Sequence, residues 1–216
     1  MGSQEDSQQS QDSTMTLMQD NRHEVLYFAY GSNLSTEQMR QRCPYSTPVG
    51  LAYLEGWKWF INGRGYANVS QVVSDDGGEY DDGDNQGSSS RAGKGKGKGK
   101  GLAGEGVYGL LYLLPPQDEE LLDGYEGVPY DYQKYQVDVK WARGDGQDDG
   151  EDGSLRALIY VDGEETTEDA PRDEYVGRME RAIEDAVDNW GLDEGYANRV
   201  MRRFWKGKNG RWEVTQ

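Results

Sequence analysis

Apolar residues recur along this chain with two periods, and each run ends on a residue that stops it. Val25-Leu26-Tyr27-Phe28-Ala29-Tyr30 is a β-branched and aromatic run that breaks at Gly31-Ser32-Asn33, so it reads as a strand feeding a turn. Ser35 followed three residues later by Gln38 has the form of a capping box, which predicts a helix closed by Pro44. From Val49 to Ile61 the residues Leu51, Tyr53, Trp57, Trp59 and Ile61 fall at alternating positions, the pattern of one strand with one buried face. Strand character resumes from Tyr66 to about Val73 and again over Val107–Leu114, where Pro115-Pro116 ends it and opens a short helix. Asp118, Glu119 and Glu120 lie in that helix's first turn, where the dipole favours acids. Leu121, Leu122 and Tyr125 are expected on one side of it, and Pro129 forbids continuation beyond Glu126-Gly127. Tyr132–Trp141, with Tyr135, Val137 and Val139 on one face, and Leu155–Val161 are two further strands.

The period lengthens in the last third. Tyr175, Met179, Ala182, Ile183, Ala186, Val187 and Trp190 follow helical spacing up to a stop at Gly191. Asp193 is placed to cap a second helix carrying Ala197, Val200, Met201 and Phe204. The sum is an α+β fold: a small, mixed, partly closed β-barrel of about six strands, with flanking helices and a C-terminal helical pair. These elements define one domain over residues 23–206. The Gln/Ser/Asp-rich stretch 1–22 and the stretch 207–216 read as tails, the first of them disordered. Residues 74–104 carry no periodicity and read as a disordered insertion, and 144–153 as an acidic loop.

Composition refines this picture in three ways. Only 34% of the 216 residues are hydrophobic, and the deficit sits in the aperiodic segments rather than in the elements. No stretch is long enough to span a membrane, and the N-terminal methionines do not form a secretory core. A single cysteine, Cys43, excludes an internal disulfide framework, so a reducing compartment is the default and a cytoplasmic location is expected. The formal charge of −17 disfavours binding to nucleic acid. Lys94, Lys96, Lys98 and Lys100, alternating with glycines, contradict that average locally. That run reads either as a solvated low-complexity loop or as a tether for an acidic partner. Without interleaved aromatics the first reading is preferred.

Candidate chemistry follows by elimination. The sole histidine, His23, borders the N-terminal tail, which argues against Ser-His-Asp, Cys-His and His-metal sites. Cys43, beside Pro44, reads as structural. No phosphate-binding glycine loop precedes a helix, so no nucleotide cofactor is indicated. A carboxylate or a tyrosine must therefore carry any proton transfer. Most acids lie in runs, but Glu126 stands between Tyr125 and Gly127, with Tyr130, Tyr132 and Tyr135 following. Packed against aromatics, such a carboxylate loses hydration and becomes a better base near neutral pH. A glutamate facing water at a helix end fits the sequence equally well. The strand–turn–helix at Tyr30–Ser35 likewise has two readings, an ordinary connection or a cluster of backbone N–H groups suited to an anion.

Two segments together resemble the γ-glutamylcyclotransferase family: Tyr30-Gly31-Ser32-Asn33-Leu34, and Gly106-Val107-Tyr108-Gly109 followed by Leu122-Asp123-Gly124-Tyr125-Glu126-Gly127. The match runs in the same order over most of the periodic region. It implies that Tyr30–Leu34 forms the substrate loop, that Glu126 is the catalytic glutamate, and that Tyr132 lies near an active-site tyrosine after a one-residue adjustment. The form of the turn resembles the branch acting on γ-glutamyl amino acids rather than the glutathione-specific or γ-glutamylamine branches. Two departures stand out: the insertion 74–104 replaces a short hairpin, and Glu184-Asp185-Ala186 replaces a glycine-alanine pair on the far wall of the pocket.

The implied reaction needs neither metal nor cofactor. The substrate's own α-amine attacks its γ-amide, releasing 5-oxoproline and an amino acid or amine. Glu126 would take the proton from the α-ammonium and return it to the departing nitrogen. Backbone N–H groups of Gly31, Ser32 and Asn33 would hold a carboxylate or oxyanion, with Tyr30 and Tyr132 as walls. Asn33 has a second reading as a helix cap. Two other classes stay open: a non-catalytic binding or regulatory module on the same fold, and a nucleic-acid-associated protein acting through the lysine run.

Overall fold

The computed structural model describes residues 24–72, 106–142 and 153–205. The two tails, the insertion with its lysine run, His23, and the acidic loop apart from Gly153 lie outside the described residues. The first strand, β1 (Val25–Ala29), is followed by a single 3₁₀ turn (Ser32–Leu34) and helix α1 (Thr36–Arg42). The alternating segment 49–61 is two strands, not one: β2 (Thr47–Glu55) and β3 (Trp57–Ile61). They part at Gly56, whose φ of 76° is a left-handed turn conformation that a glycine adopts without steric cost. Alternation cannot reveal such a break, because the period resumes in phase on the other side. The next strand, β4, is Ala67–Gln71, shorter than expected at both ends.

After the insertion come β5 (Gly106–Leu114), α2 (Pro116–Tyr125), β6 (Gln133–Trp141) and β7 (Leu155–Val161). Strands β1, β5, β2, β6 and β7 form a fully closed barrel in that order, with β3 and β4 as a separate two-stranded sheet. Closure comes from a parallel pairing of β1 with β7 at Tyr27 and Leu158, while the other barrel pairs are antiparallel. The barrel is tightly filled at Gly109, where a Cβ would stand 2.5 Å from the Phe28 ring and 2.8 Å from the Ala29 carbonyl.

Buried polar groups fasten the small sheet to the barrel. Asn68 Nδ2 donates to the Asp162 carbonyl at 2.8 Å and its Oδ1 accepts from the Asp162 N–H at 3.1 Å. Asn62 Nδ2 donates to the Asp162 carboxylate at 3.0 Å. These bonds fix β4 and the loop before it at the end of β7.

Helix α3 (Asp173–Trp190) buries Tyr175, Met179, Ala182, Ile183 and Ala186 as its spacing predicts, and Gly191 ends it at φ 79°. The second member of the C-terminal pair is short. Asp193 caps α4 (Glu194–Tyr196), and the chain then continues through a wide turn, Ala197–Met201, and a tight one, Arg202–Phe204. Arg202 and the Trp205 indole both donate to Glu180, tying this segment to α3. The expected apolar side of α2 is reduced to Leu122, which is fully buried. Leu121 and Tyr125 are about half exposed, at 49% and 55%. Asp118, one turn before Leu122, is the other buried position, held by the Tyr45 N–H at 2.8 Å. In β6, Val137 and Val139 are buried but Tyr135 is exposed. No helix among the described residues is long and apolar enough to cross a membrane.

Candidate active site

The end of β1 opens into a cavity of ≈ 260 Å³ at one mouth of the barrel. Tyr30 directly follows the strand and ties its surroundings together. Its hydroxyl donates to the Tyr160 carbonyl at 2.7 Å, and its carbonyl accepts from the Trp59 indole at 3.0 Å. At Gly31 a Cβ would lie 3.0 Å from the Tyr175 hydroxyl and 3.3 Å from the Ala67 Cβ, so α3 and β4 approach the turn closely only because no side chain intervenes. Tyr112 donates to the Asn33 carbonyl at 3.0 Å from inside the barrel and fixes the turn from below.

Helix α1 begins with half of a capping box. Ser35 Oγ accepts the Gln38 N–H at 3.2 Å, but the Gln38 side chain turns to the preceding residues. Its Nε2 donates to Ser32 Oγ at 2.9 Å and to Asn33 Oδ1 at 2.8 Å. Ser35, not Asn33, is therefore the helix cap. The Asn33 side chain projects toward the cavity, where Nδ2 donates to the Tyr27 hydroxyl at 3.0 Å and to Glu126 Oε1 at 3.1 Å.

Glu126 arrives from the opposite side, at the C-terminal end of α2. Its N–H donates to the Leu122 carbonyl at 2.9 Å, and Gly127 follows at φ 64°. This sharp helix end turns the carboxylate into the cavity, where its side chain is only 16% exposed. Burial raises its pKa above the ordinary carboxylate value. The cations Arg42 and Arg178 and the Asn33 hydrogen bond oppose that rise without cancelling it. The water-facing reading of Glu126 does not hold.

Tyr132 lines the cavity beyond Glu126, its hydroxyl donating to the Ala67 carbonyl at 3.0 Å. Burial pushes the Tyr27, Tyr30 and Tyr132 hydroxyls up, and Tyr175 to about 12, so all four are neutral hydrogen-bonding groups. The Ser32 N–H is engaged by the Tyr175 hydroxyl at 3.3 Å. Tyr30, Gly31, Ser32, Asn33, Glu126 and Tyr132 thus meet around one cavity. Leu34 does not join them. It is fully buried in the core.

Three arginines complete the lining and were not singled out from the sequence. Arg42 Nη1 stands 3.9 Å from Glu126 Oε1 and donates to Asn33 Oδ1 at 3.1 Å. Arg64 pairs with Asp131 and, at 2.8 Å, with Asp162, and stacks over the Tyr132 ring. Arg178 Nη2 donates to Ser32 Oγ at 2.9 Å. One signal was available: Gln38 and Arg42 are four apart on α1 and so share a face. Arg64 and Arg178 reach the site only through tertiary folding. The far wall is built by Tyr175 and Arg178, about two to three turns before the anomalous Glu184-Asp185. Asp185 faces α1 instead, accepting the Thr36 N–H and hydroxyl at 2.6 and 2.7 Å. Cys43 is buried and its thiol is pushed up to about 12, which makes it a poor nucleophile. Among the described residues no group of three or more His, Cys, Asp or Glu could hold a metal ion.

The closed five-stranded barrel with a two-stranded sheet at its mouth gives the chain the fold of the γ-glutamyl cyclotransferases. Among solved structures, a γ-glutamyl cyclotransferase superimposes with a TM-score of 0.57 at 19% identity, over 89% of this chain and 95% of that one. An uncharacterized protein from Homo sapiens gives 0.55 at 21% identity, over 90% and 92%. YkqA from Bacillus subtilis gives 0.54 at 19% identity over 85% of this chain, which corresponds to 55% of that longer one. No family model and no curated protein matches at the level of sequence.

Proposed function

We propose that this protein is a γ-glutamylcyclotransferase acting on γ-glutamyl amino acids. The observation that carries the reading is the Glu126 carboxylate, held in a cavity wall by Asn33 of the facing turn and kept more basic than an ordinary carboxylate by burial. The substrate supplies its own nucleophile, so the absence of a suitable histidine or cysteine is no obstacle. The α-ammonium first gives a proton to Glu126. The freed amine nitrogen attacks the γ-amide carbon, closing a five-membered ring, and the carbonyl oxygen becomes an oxyanion. As the carbonyl re-forms, the bond to the departing nitrogen breaks and Glu126 returns its proton to that nitrogen. The ring nitrogen then gives up its second amine proton, which passes through the same carboxylate to the released amine, so that it leaves as an ammonium. The products are 5-oxoproline and the free amino acid.

Charge complementarity supports a leaving group that carries a carboxylate, as an amino acid does. A γ-glutamyl dipeptide carries one ammonium and two carboxylates, and the cavity is lined by three guanidiniums and two carboxylates, Glu126 and Asp131, of which Asp131 is already paired with Arg64, itself also paired with Asp162. Incubation with a panel of γ-glutamyl dipeptides, glutathione and γ-glutamylamines, with 5-oxoproline as the readout, tests the reading. Glu126→Gln is expected to lower turnover by about 10²–10⁴-fold, the range for loss of a general base. Wild-type protein inert toward the whole panel would overturn the proposal in favour of a binding module. Full activity of Glu126→Gln would remove Glu126 from the mechanism.

A further inference from the structure

We propose that Gln38, which lies outside the cavity, is a positioning residue for Glu126, acting through the orientation of the Asn33 amide. The inference rests on the functional reading above only for its consequence in catalysis. The geometry stands by itself.

Two arginines set the direction of a hydrogen-bond chain that runs from α3 through α1 to the turn. Arg178 Nε lies 3.2 Å from the Gln38 side-chain amide. A guanidinium donates and never accepts, so the atom facing it is Oε1. That leaves Nε2 as the atom shared by Ser32 Oγ and Asn33 Oδ1. The same test applies at Asn33. Arg42 Nη1 reaches its amide at 3.1 Å, so the atom there is Oδ1 and the atom toward Glu126 is Nδ2. The amide orientations thus follow from donors that cannot be reversed, rather than from a choice between oxygen and nitrogen.

With both amides fixed, Asn33 always presents a donor to Glu126 Oε1. Among the described residues no side chain is hydrogen-bonded to Oε2, and it is not one of the buried unpartnered atoms. Oε2 is therefore the oxygen left to exchange a proton with a ligand in the cavity. Remove Gln38's donors and only Arg42 holds Oδ1. With one of its two anchors gone the amide is free to rotate about Oδ1, and the Nδ2 bond to the carboxylate weakens. Of the other groups acting on Glu126, Gln38 touches only Arg178 on α3, whose Nε–H it accepts. Arg42 on α1, the neutral hydroxyls of Tyr27, Tyr30, Tyr132 and Tyr175, and the Cys43 thiol make no hydrogen bond to Gln38.

The test uses Gln38→Met, which is close in size and has no donors, and Gln38→Glu, which is isosteric and keeps the acceptor for Arg178. Each is made alone and with Asn33→Ala. The Glu126 carboxyl is followed by ¹³C NMR from pH 3 to 9, and the pH profile of kcat is recorded beside it. In both single variants the Glu126 titration and the acid limb of kcat should move to higher pH by about one unit, a tenfold loss of rate on that limb. With Asn33→Ala already present, Gln38→Met should produce no further movement, and Gln38→Glu only its direct charge effect. A Gln38 that merely packs α1 against α3 would change thermal stability and leave the titration in place. An unmoved titration in a folded Gln38→Met protein, or an equal movement without Asn33, overturns the proposal. Because the NMR titration needs no turnover, a moved titration in a protein inert on every γ-glutamyl substrate would sustain the relay and refute the enzymatic reading alone.

Discussion

Replacing Arg42 with methionine isolates the electrostatic balance at Glu126. Methionine retains an unbranched apolar stem and removes the charge. The guanidinium lies 3.9 Å from Glu126 Oε1, and the two side chains are 18% and 16% exposed, so solvent screens the pair incompletely. At an effective dielectric constant of about 20, unit charges at that distance attract by about 4 kcal/mol, a ceiling that backbone relaxation and entering water will lower. At 1.36 kcal/mol per pH unit this corresponds to a movement of about one to three units. The sign is fixed by which form the cation favours. Arg42 holds Glu126 in its ionised form, opposing burial, so its loss raises the pKa further. The base is active only when ionised, hence the acid limb of kcat/KM moves to higher pH while the plateau above it is largely kept. Asn33 stays oriented by Gln38, and the effect is therefore electrostatic in the main. Initial rates of 5-oxoproline release between pH 5 and 9 measure it. An acid limb coincident with the wild type would refute the assignment of Glu126 as the proton acceptor. A uniform loss at all pH values would show that Arg42 instead binds substrate.

Two further substitutions probe the scaffold that carries the site. Arg64→Met strips the cation at 2.8 Å from the buried Asp162, which also orders the loop before β4. Breaking a fully buried pair costs about 3–5 kcal/mol. Since Arg64 is 30% exposed, a loss of about 2–3 kcal/mol is expected in urea unfolding. An unchanged midpoint would mean that Asn62 and the backbone hold Asp162 unaided. Gly109→Ala places a Cβ 2.5 Å from the Phe28 ring and 2.8 Å from a backbone carbonyl of the neighbouring strand. The overpacking should cost about 1–3 kcal/mol, read as a lower thermal midpoint, and a neutral result would show that β1 and β5 can separate at that point.

The local half of the site was legible before folding was considered. A strand that ends in Tyr30-Gly31-Ser32-Asn33 and meets a capped helix at Ser35 is written in adjacent residues, because turns and caps are decided within a few positions. The burial of Glu126 was legible only as one of two readings. Of its aromatic neighbours Tyr125, Tyr130 and Tyr135 are exposed and only Tyr132 is buried beside it in the cavity, so adjacency accounts for only part of the desolvation. The rest comes from the turn and α1 packed across the cavity. The amphipathic face assigned to α2 failed for a related reason. Leucines at the surface of a short helix leave the same trace in sequence as leucines in a core.

By itself the sequence determined most of the strands, the long helix α3, the turn, the start of α1 and the stop at Gly191, each of which depends on short-range sterics and hydrogen bonds. It also carried the paired motifs that resemble one enzyme family. The tertiary structure decided what lies opposite what. It closed the barrel by joining β1 to β7, split one alternating segment into strands of two sheets, and brought Arg64 and Arg178 to a turn more than thirty and more than one hundred and forty residues away. Charge effects at Glu126 act through space over a few ångströms, whereas sequence patterns report only neighbours along the chain. That is why the turn could be read directly, and why the cations that set the basicity of its partner could not.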